Sequence, residues 1–208
     1  MDLTFLVRGF AIGLTVASAV GPISVLTIRR TIAHGRRYGL ASGLGVALAD
    51  ASYGAIAAFG LTAVTSVLVG VRVPLALAGG VFFVLLGLRT IRARPTGTAG
   101  AADPADRPGI ASAVVSIYGL TMTNPMTILS FGLVFAGIGL AGRGGPDAAL
   151  VTIGVFLGSS LWWIGLTTVV GHLRPRLTAE GLAWINRVAG AVLIVFGVIA
   201  VGVAVGVF

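Results

Sequence analysis

The chain has 208 residues, 57% of them hydrophobic and only 10% charged, with a mean hydropathy of +1.06. A soluble domain carries about 25% charged residues, so this composition excludes a water-solvated globule and predicts an integral membrane protein. The formal charge of +8 comes from arginine without any lysine, but the arginines punctuate apolar runs, where they orient a membrane protein rather than coat nucleic acid.

Cysteine is absent, which removes disulfides, thiol redox chemistry and thiolate metal sites. The first apolar run is Gly9 to Ile28, between Arg8 and Arg29-Arg30. Its start has the form of a secretory signal, with Ala17-Ser18-Ala19 as a cleavage-like step. The run continues through Gly21, Pro22 and Ser24, so an uncleaved first span is expected. A basic loop, Arg29 to Arg37, precedes a second run from Tyr38 to Val71 that contains one carboxylate, Asp50.

A carboxylate at the centre of a bilayer costs roughly 2.5 to 3.5 kcal/mol, and each Leu or Ile returns only about 0.3 to 0.6. Asp50 is therefore expected to face protein or water rather than lipid. Gly39, Gly43, Ala47, Asp50, Gly54 and Ala57 recur at steps of three or four and share one helical face. Small residues there permit close backbone approach.

The third span is expected over Val71 to Ile91, followed by a polar linker, Arg92 to Pro108. Gly109 to Gly142 is uncharged and too long for one straight helix, with Asn124-Pro125 in its middle. A short loop, Arg143 to Asp147, leads to a fifth span, Ala148 to Gly171. A basic loop with His172, Arg174, Arg176, Glu180 and Arg187 precedes a last span, Val188 to Phe208.

The two halves resemble each other. Gly21-Pro22 corresponds to Asn124-Pro125, and the run from Gly45 to Leu48 corresponds to Gly154 to Leu157, which sets Asp50 against Ser159. The run from Gly80 to Gly87 corresponds to Gly190 to Gly197. Three spans per half is an odd number, so the second half enters the membrane from the opposite side, as in many secondary transporters. The expected fold is all-α, with six transmembrane helices as two inverted three-helix repeats. Residues 1–91 and 109–208 form the repeats, 92–108 the linker, and helices one and four are broken. The arginine count places the loops after spans one, three and five in the cytoplasm, with both termini outside.

Proline inside a span removes a backbone hydrogen bond. Pro22 and Pro125 each do so near mid-membrane, at the depth of Asp50 by a rise of about 1.5 Å per residue. Broken helices expose N–H groups that can hold a carboxylate and carbonyls that can hold an ammonium.

These residues carry a family resemblance. The stretch from Gly21-Pro22 to Arg29-Arg30, then Gly35-Arg36-Arg37 and Gly45 to Asp50, resembles the LysE/RhtB-type amino-acid exporters. Thr123 to Phe131 is similar to that family's second Asn-Pro motif, and Ala78 to Ile91 to its third span. The resemblance implies a six-span carrier in the plasma membrane of a bacterium, exporting lysine-type or threonine/homoserine-type amino acids. It lends Asp50 the role of the span-two acid. Val20 and Ile23-Ser24 depart from the motif of many members.

On this reading Asp50 exchanges a proton and the substrate ammonium. Gly21, Pro22, Asn124 and Pro125 hold the substrate carboxylate, with Ser24, Thr123 and Ser159 as further polar groups. No cofactor is expected. A cation or metal carrier should show several intramembrane carboxylates or histidines, and a membrane enzyme or assembly factor a catalytic constellation; neither pattern is present in the sequence. His34 and His172 read as solvated loop residues, and Trp162-Trp163 as packing or an interfacial belt. Gly43-x-Gly45 lacks the rest of a dinucleotide fingerprint. The pairs Gly9/Gly13, Gly154/Gly158 and Gly202/Gly206 predict close helix packing, a homodimer seam included.

Overall fold

The computed structural model describes residues 2–19, 21–60, 70, 72–93, 109–124, 127–128, 130–131 and 145–207, and the described residues are almost entirely helical. In chain order the helices are α1 (Thr4–Ser18), α2 (Pro22–His34), α3 (Arg36–Ala58), α4 (Arg72–Arg92), α5 (Ile110–Met122), α6 (Gly145–Leu173) and α7 (Ala179–Ala204). Among them α3, α6 and α7 are long and apolar enough to cross a membrane, and the bent pair α1 and α2 supplies a fourth candidate span.

The least apolar of the three long helices sits deepest. The α3 window has a mean hydropathy of 1.3 and is 56% buried in protein, against 2.4 and 22% for α7. Lipid is as apolar as leucine, so hydrophobicity alone does not pull helices together in a bilayer; close backbone approach does. Gly43 of α3 abuts Trp163 of α6, Gly54 abuts Val155, and Gly45 lies against Val114 and Ile117 of α5. The small-residue face read from the sequence is thus the packed face, and Ala47 and Asp50 on it are buried.

The same device joins the outer pairs. A Cβ at Gly9 or Gly13 would overlap the carbonyl of Val151 or Val155, and one at Gly154 or Gly158 that of Leu6 or Phe10. These glycines therefore serve α1–α6 packing within the chain. Helices α4 and α7 interlock in the same way, Gly80 against Gly197 and Gly87 against Gly190.

Reading partners along each pair gives the directions. Helices α1 and α6 are parallel, as are α3 and α5, while α3 opposes α6 and α4 opposes α7. Asn186 at the start of α7 donates to Ala93 at the end of α4 at 3.5 Å. Arg174, just past α6, donates to Ile32 and Ala33 at the end of α2. The ends of α2, α4 and α6 and the start of α7 thus gather on one side, which carries most of the arginines.

Several boundaries differ from expectation. Helix α1 begins at Thr4 rather than Gly9, and α2 runs to His34, so Arg29 and Arg30 of the expected basic loop are helical. Helix α7 begins at Ala179 rather than near Val188, because Thr178 caps it by accepting the Gly181 N–H at 3.1 Å. Glu180 and Arg187, expected in a loop, are therefore helical. Helix α3 begins at Arg36, directly after Gly35 (φ +92°), a left-handed position that spares a side chain the strain. Helix α6 begins at Gly145 (φ +58°). Most of the stretch 61–71, Pro125 and residues 94–108 of the linker lie outside the described residues.

Candidate functional site: a cavity at two helix breaks

The first span breaks between Ser18 and Pro22, where the axes of α1 and α2 turn by 75°. Pro22 does not kink a continuous helix; it occupies the first turn of a new one, where its missing N–H costs nothing. The Gly21 carbonyl accepts the Val25 N–H at 3.1 Å and so opens α2. Asn124 has the same role after α5. Its carbonyl accepts from Thr127 and Ile128 at 3.1 and 3.2 Å, and Pro125 follows it in sequence. A Gly-Pro and an Asn-Pro thus each stand at a helix restart.

Both restarts border one cavity of about 120 Å³. At roughly 30 Å³ per water, that is room for about four waters or a small polar solute. Gly21, Pro22 and Ser24 line it from α2, Asp50 and Val46 from α3, Thr121 and Asn124 from the end of α5, and Thr127 and Ser130 from beyond. Trp163 and Phe196 close it from α6 and α7. Apolar Val16, Ala17 and Ile23 complete the wall, and no described lining residue is cationic.

Asp50 is 2% exposed. Its Oδ2 accepts a hydrogen bond from Ser159 Oγ at 2.7 Å, across the α3–α6 contact. Ser159 therefore reaches the site through Asp50. Tyr53, one helical turn on, donates to the Met122 carbonyl and stacks on Phe131, which ties α3 to the break after α5. Ser24 donates to the Ala19 carbonyl at 3.2 Å, stitching the two ends of the first break. The N–H groups of Ile23 and Ser24 belong to the first turn of α2, lack an intrahelical acceptor, and give the cavity a positive helix end.

Thr123 stands off the cavity: its hydroxyl donates to the Gly119 and Leu120 carbonyls. Besides Ser24, the hydroxyls on the lining are those of Thr121, Thr127 and Ser130, which the sequence reading did not single out. Two of them lie within four residues of Asn124-Pro125, a spacing that would have flagged them. Trp163, read as packing or belt, is 2% exposed and does both jobs of packing and lining.

Beneath the cavity, on the arginine-rich side, a seam of buried hydroxyls runs between α2, α3 and α6: Thr27, Thr31, Ser42 and Thr167, all at most 1% exposed. Thr27 Oγ1 and Trp163 Nε1 in this region are buried without a hydrogen-bond partner. Arginines close the seam. Arg30 of α2 donates to Ser42 of α3 at 3.4 Å and to the Ala113 carbonyl and Ser116 hydroxyl of α5 at 3.2 and 3.0 Å. Arg174 Nε and Nη2 donate to the last carbonyls of α2, those of Ile32 and Ala33, at 2.6 and 3.2 Å. A cation at that helix end also complements the helix dipole.

A model of the LysE type translocator family matches residues 14–202. No curated protein and no solved structure matches the chain.

Proposed function

The chain belongs to the LysE type translocator family, a family of membrane transporters, and from that premise we propose that it exports amino acids or related small zwitterions from a bacterial cytoplasm in exchange for protons. One observation carries the proposal: a buried carboxylate, Asp50, and the N-terminus of α2 border the same small cavity. An ammonium is matched by the carboxylate and a carboxylate by the helix end. A solute bearing both charges satisfies both.

The chemistry follows from what burial costs. An ionised Asp50 without a cation is expensive inside protein at membrane depth, whereas a protonated carboxyl or a carboxylate paired with an ammonium is neutral overall. Proton and substrate therefore compete for one group. Ser159 Oγ can donate to the ionised form and stay in place when the proton is replaced by substrate. Thr121, whose hydroxyl donates to the Ile117 carbonyl at 2.8 Å, leaves its oxygen as an acceptor, and the hydroxyls of Thr127 and Ser130 supply further polar groups around the solute.

The proposed architecture is six spans in two inverted halves, with both termini outside the cell. Three features support it. The six helices α1, α3, α4, α5, α6 and α7 alternate in direction. The α1–α6 contact has its counterpart in α5–α3. Residues that correspond between halves pair reciprocally: Gly80 corresponds to Gly190 and Gly87 to Gly197, and the contacts are Gly80 with Gly197 and Gly87 with Gly190. A local two-fold relation produces that crossing-over of partners. Asp50 and Ser159, which also correspond, touch each other. The arginine-rich side is then cytoplasmic, and the clamps of Arg30 and Arg174 seal the cavity from it.

The test is efflux from proteoliposomes loaded with a panel of labelled amino acids under an imposed proton gradient. Efflux of a zwitterionic or cationic amino acid, lost in Asp50→Ala, supports the reading. Transport of inorganic cations with no amino acid moved would sink it.

A further inference from the structure

A second concavity lies on the outer surface, away from the Asp50 cavity. It is a groove of about 310 Å³ between α2 and α7, lined by Val25 and Ile28 on one side and by Trp184, Ile185, Val188 and Val192 on the other. Its wall is apolar. Trp184, 64% exposed, stands at its end nearest the arginine-rich side, the level at which tryptophans favour the membrane–water interface. From Trp184 to Val192 the groove descends about 12 Å along α7 at the helical rise.

Arg29 adjoins this end. It follows Ile28 and lies four residues beyond Val25, so it shares the groove-facing side of α2. It is half-buried. Arg30, next to it, spends its guanidinium on Ser42, Ala113 and Ser116. Arg29 has no hydrogen-bond or ion-pair partner among the described residues. A partly desolvated guanidinium asks for a bidentate anion, and no carboxylate of the described chain provides one.

We infer that the groove between α2 and α7 is a binding site for an anionic membrane phospholipid, with one acyl chain along Val25, Val188 and Val192 and the phosphate on Arg29. The apolar slot, the interfacial tryptophan at its mouth and the unpaired arginine beside it are matched by one molecule that is apolar along its length and anionic at its head. Helix α2 carries both this site and the first restart at the cavity. A net-negative headgroup is preferred over a zwitterionic one because Arg187, Arg176, Arg36 and Arg37 lie toward the same side and repel a choline or ethanolamine ammonium. This inference needs the chain in a bilayer but not the proposed transport activity.

Trp184 reports occupancy directly. The purified full chain in neutral detergent is titrated with phosphatidylglycerol or phosphatidylcholine brominated in the acyl chains, and Trp184 quenching is taken as the difference between the wild-type chain and Trp184→Phe. At about 1 kcal/mol per arginine near an anionic headgroup, phosphatidylglycerol should half-quench Trp184 at about fivefold lower concentration. Arg29→Gln should abolish that preference, whereas Arg8→Gln, which removes a charge at the opposite end, should keep it. Val188→Phe, a change at a position 52% exposed, should fill the slot and weaken quenching by both lipids. Equal quenching by the two lipids in the wild-type chain, or a preference that survives Arg29→Gln, overturns the inference. Should Arg29→Gln not fold, undiminished quenching in Val188→Phe overturns it instead. Shielding of Trp184 from both lipids, with Val188→Cys forming a cross-linked dimer, would give the groove to a second copy of the chain.

Discussion

Replacing Asp50 by Asn separates the charge from the shape. The amide is isosteric and its Oδ1 can still accept from Ser159 Oγ near the present 2.7 Å. The fold should therefore persist within about 1 kcal/mol, the net worth of an ordinary hydrogen bond. What disappears is the proton. One carboxylate lines the cavity among the described residues, so the proposed mechanism admits one proton per cycle. At 100 mV, interior negative, and one pH unit, that proton delivers about 2.3 kcal/mol plus about 1.4 kcal/mol. At tenfold per 1.4 kcal/mol, the sum of about 3.7 kcal/mol sustains a zwitterion gradient of about 500-fold. For a cationic amino acid the exchange is electroneutral, and only the pH component remains, about tenfold. In proteoliposomes with controlled potential and pH, the wild-type chain should build such gradients and Asp50→Asn should relax to the passive distribution, equal concentrations for a zwitterion, while remaining monodisperse. An Asp50→Asn chain that still concentrates its substrate would refute the coupling role. A wild-type zwitterion gradient near the square of about 500-fold would instead require a second proton-carrying group.

The other expectations follow from the helix contacts and the arginine clamps. Arg30→Ala removes three hydrogen bonds that hold α2 to α3 and α5, and should open the hydroxyl seam toward the arginine-rich side. In this cysteine-free chain, a Thr27→Cys label should then react with maleimide at least several-fold faster, and an unchanged rate would remove Arg30 from the seal. Gly154→Leu drives a side chain into the Leu6–Phe10 backbone of α1; a loss of 1 to 3 kcal/mol or more is expected, read as a lowered thermal midpoint in detergent, whereas Gly119→Leu, whose Cβ meets nothing within 4 Å, should be tolerated. Reporter fusions at Pro104 and at Phe208 should report opposite sides of the membrane, and agreement between them would break the proposed topology.

Asp50 was legible because a lone carboxylate in an apolar run has so few tolerable surroundings. The small-residue face around it was legible for a related reason: glycines at helical spacing have little to offer a bilayer except close approach. The restarts at Pro22 and Asn124 could be located because proline acts on backbone geometry locally. Trp163 was not readable as a lining residue, since the same indole suits a core, a belt or a cavity wall and only the packing of α6 against Gly43 of α3 decides. Arg30 and Arg174 read as orientation charges. Their second use, holding carbonyls and hydroxyls of other helices 83 to 142 residues away along the chain, depends on tertiary placement that no local pattern encodes. The start of α7 was missed because arginine and glutamate ahead of an apolar run look like a loop, although both are helical here.

In the proposed two-half architecture Asp50 and Ser159 occupy matching places, and they are in contact, which on that reading restricts how such a protein could be assembled or have arisen. Two identical three-helix chains meeting in the same way would set the same side chain on both faces of that contact. Two aspartates would stand within hydrogen-bonding distance, compete for a shared proton and change the charge carried per cycle; two serines would carry none. If Asp50 carries the proton as proposed, a single such carboxylate at the junction requires halves of unequal sequence, which a tandem fusion secures and a homodimer of halves cannot. Exchanging the pair, Asp50→Ser with Ser159→Asp, would keep one carboxylate at nearly the same point in space while moving its covalent attachment to the other half, so genetic duplication followed by divergence could have settled on either arrangement.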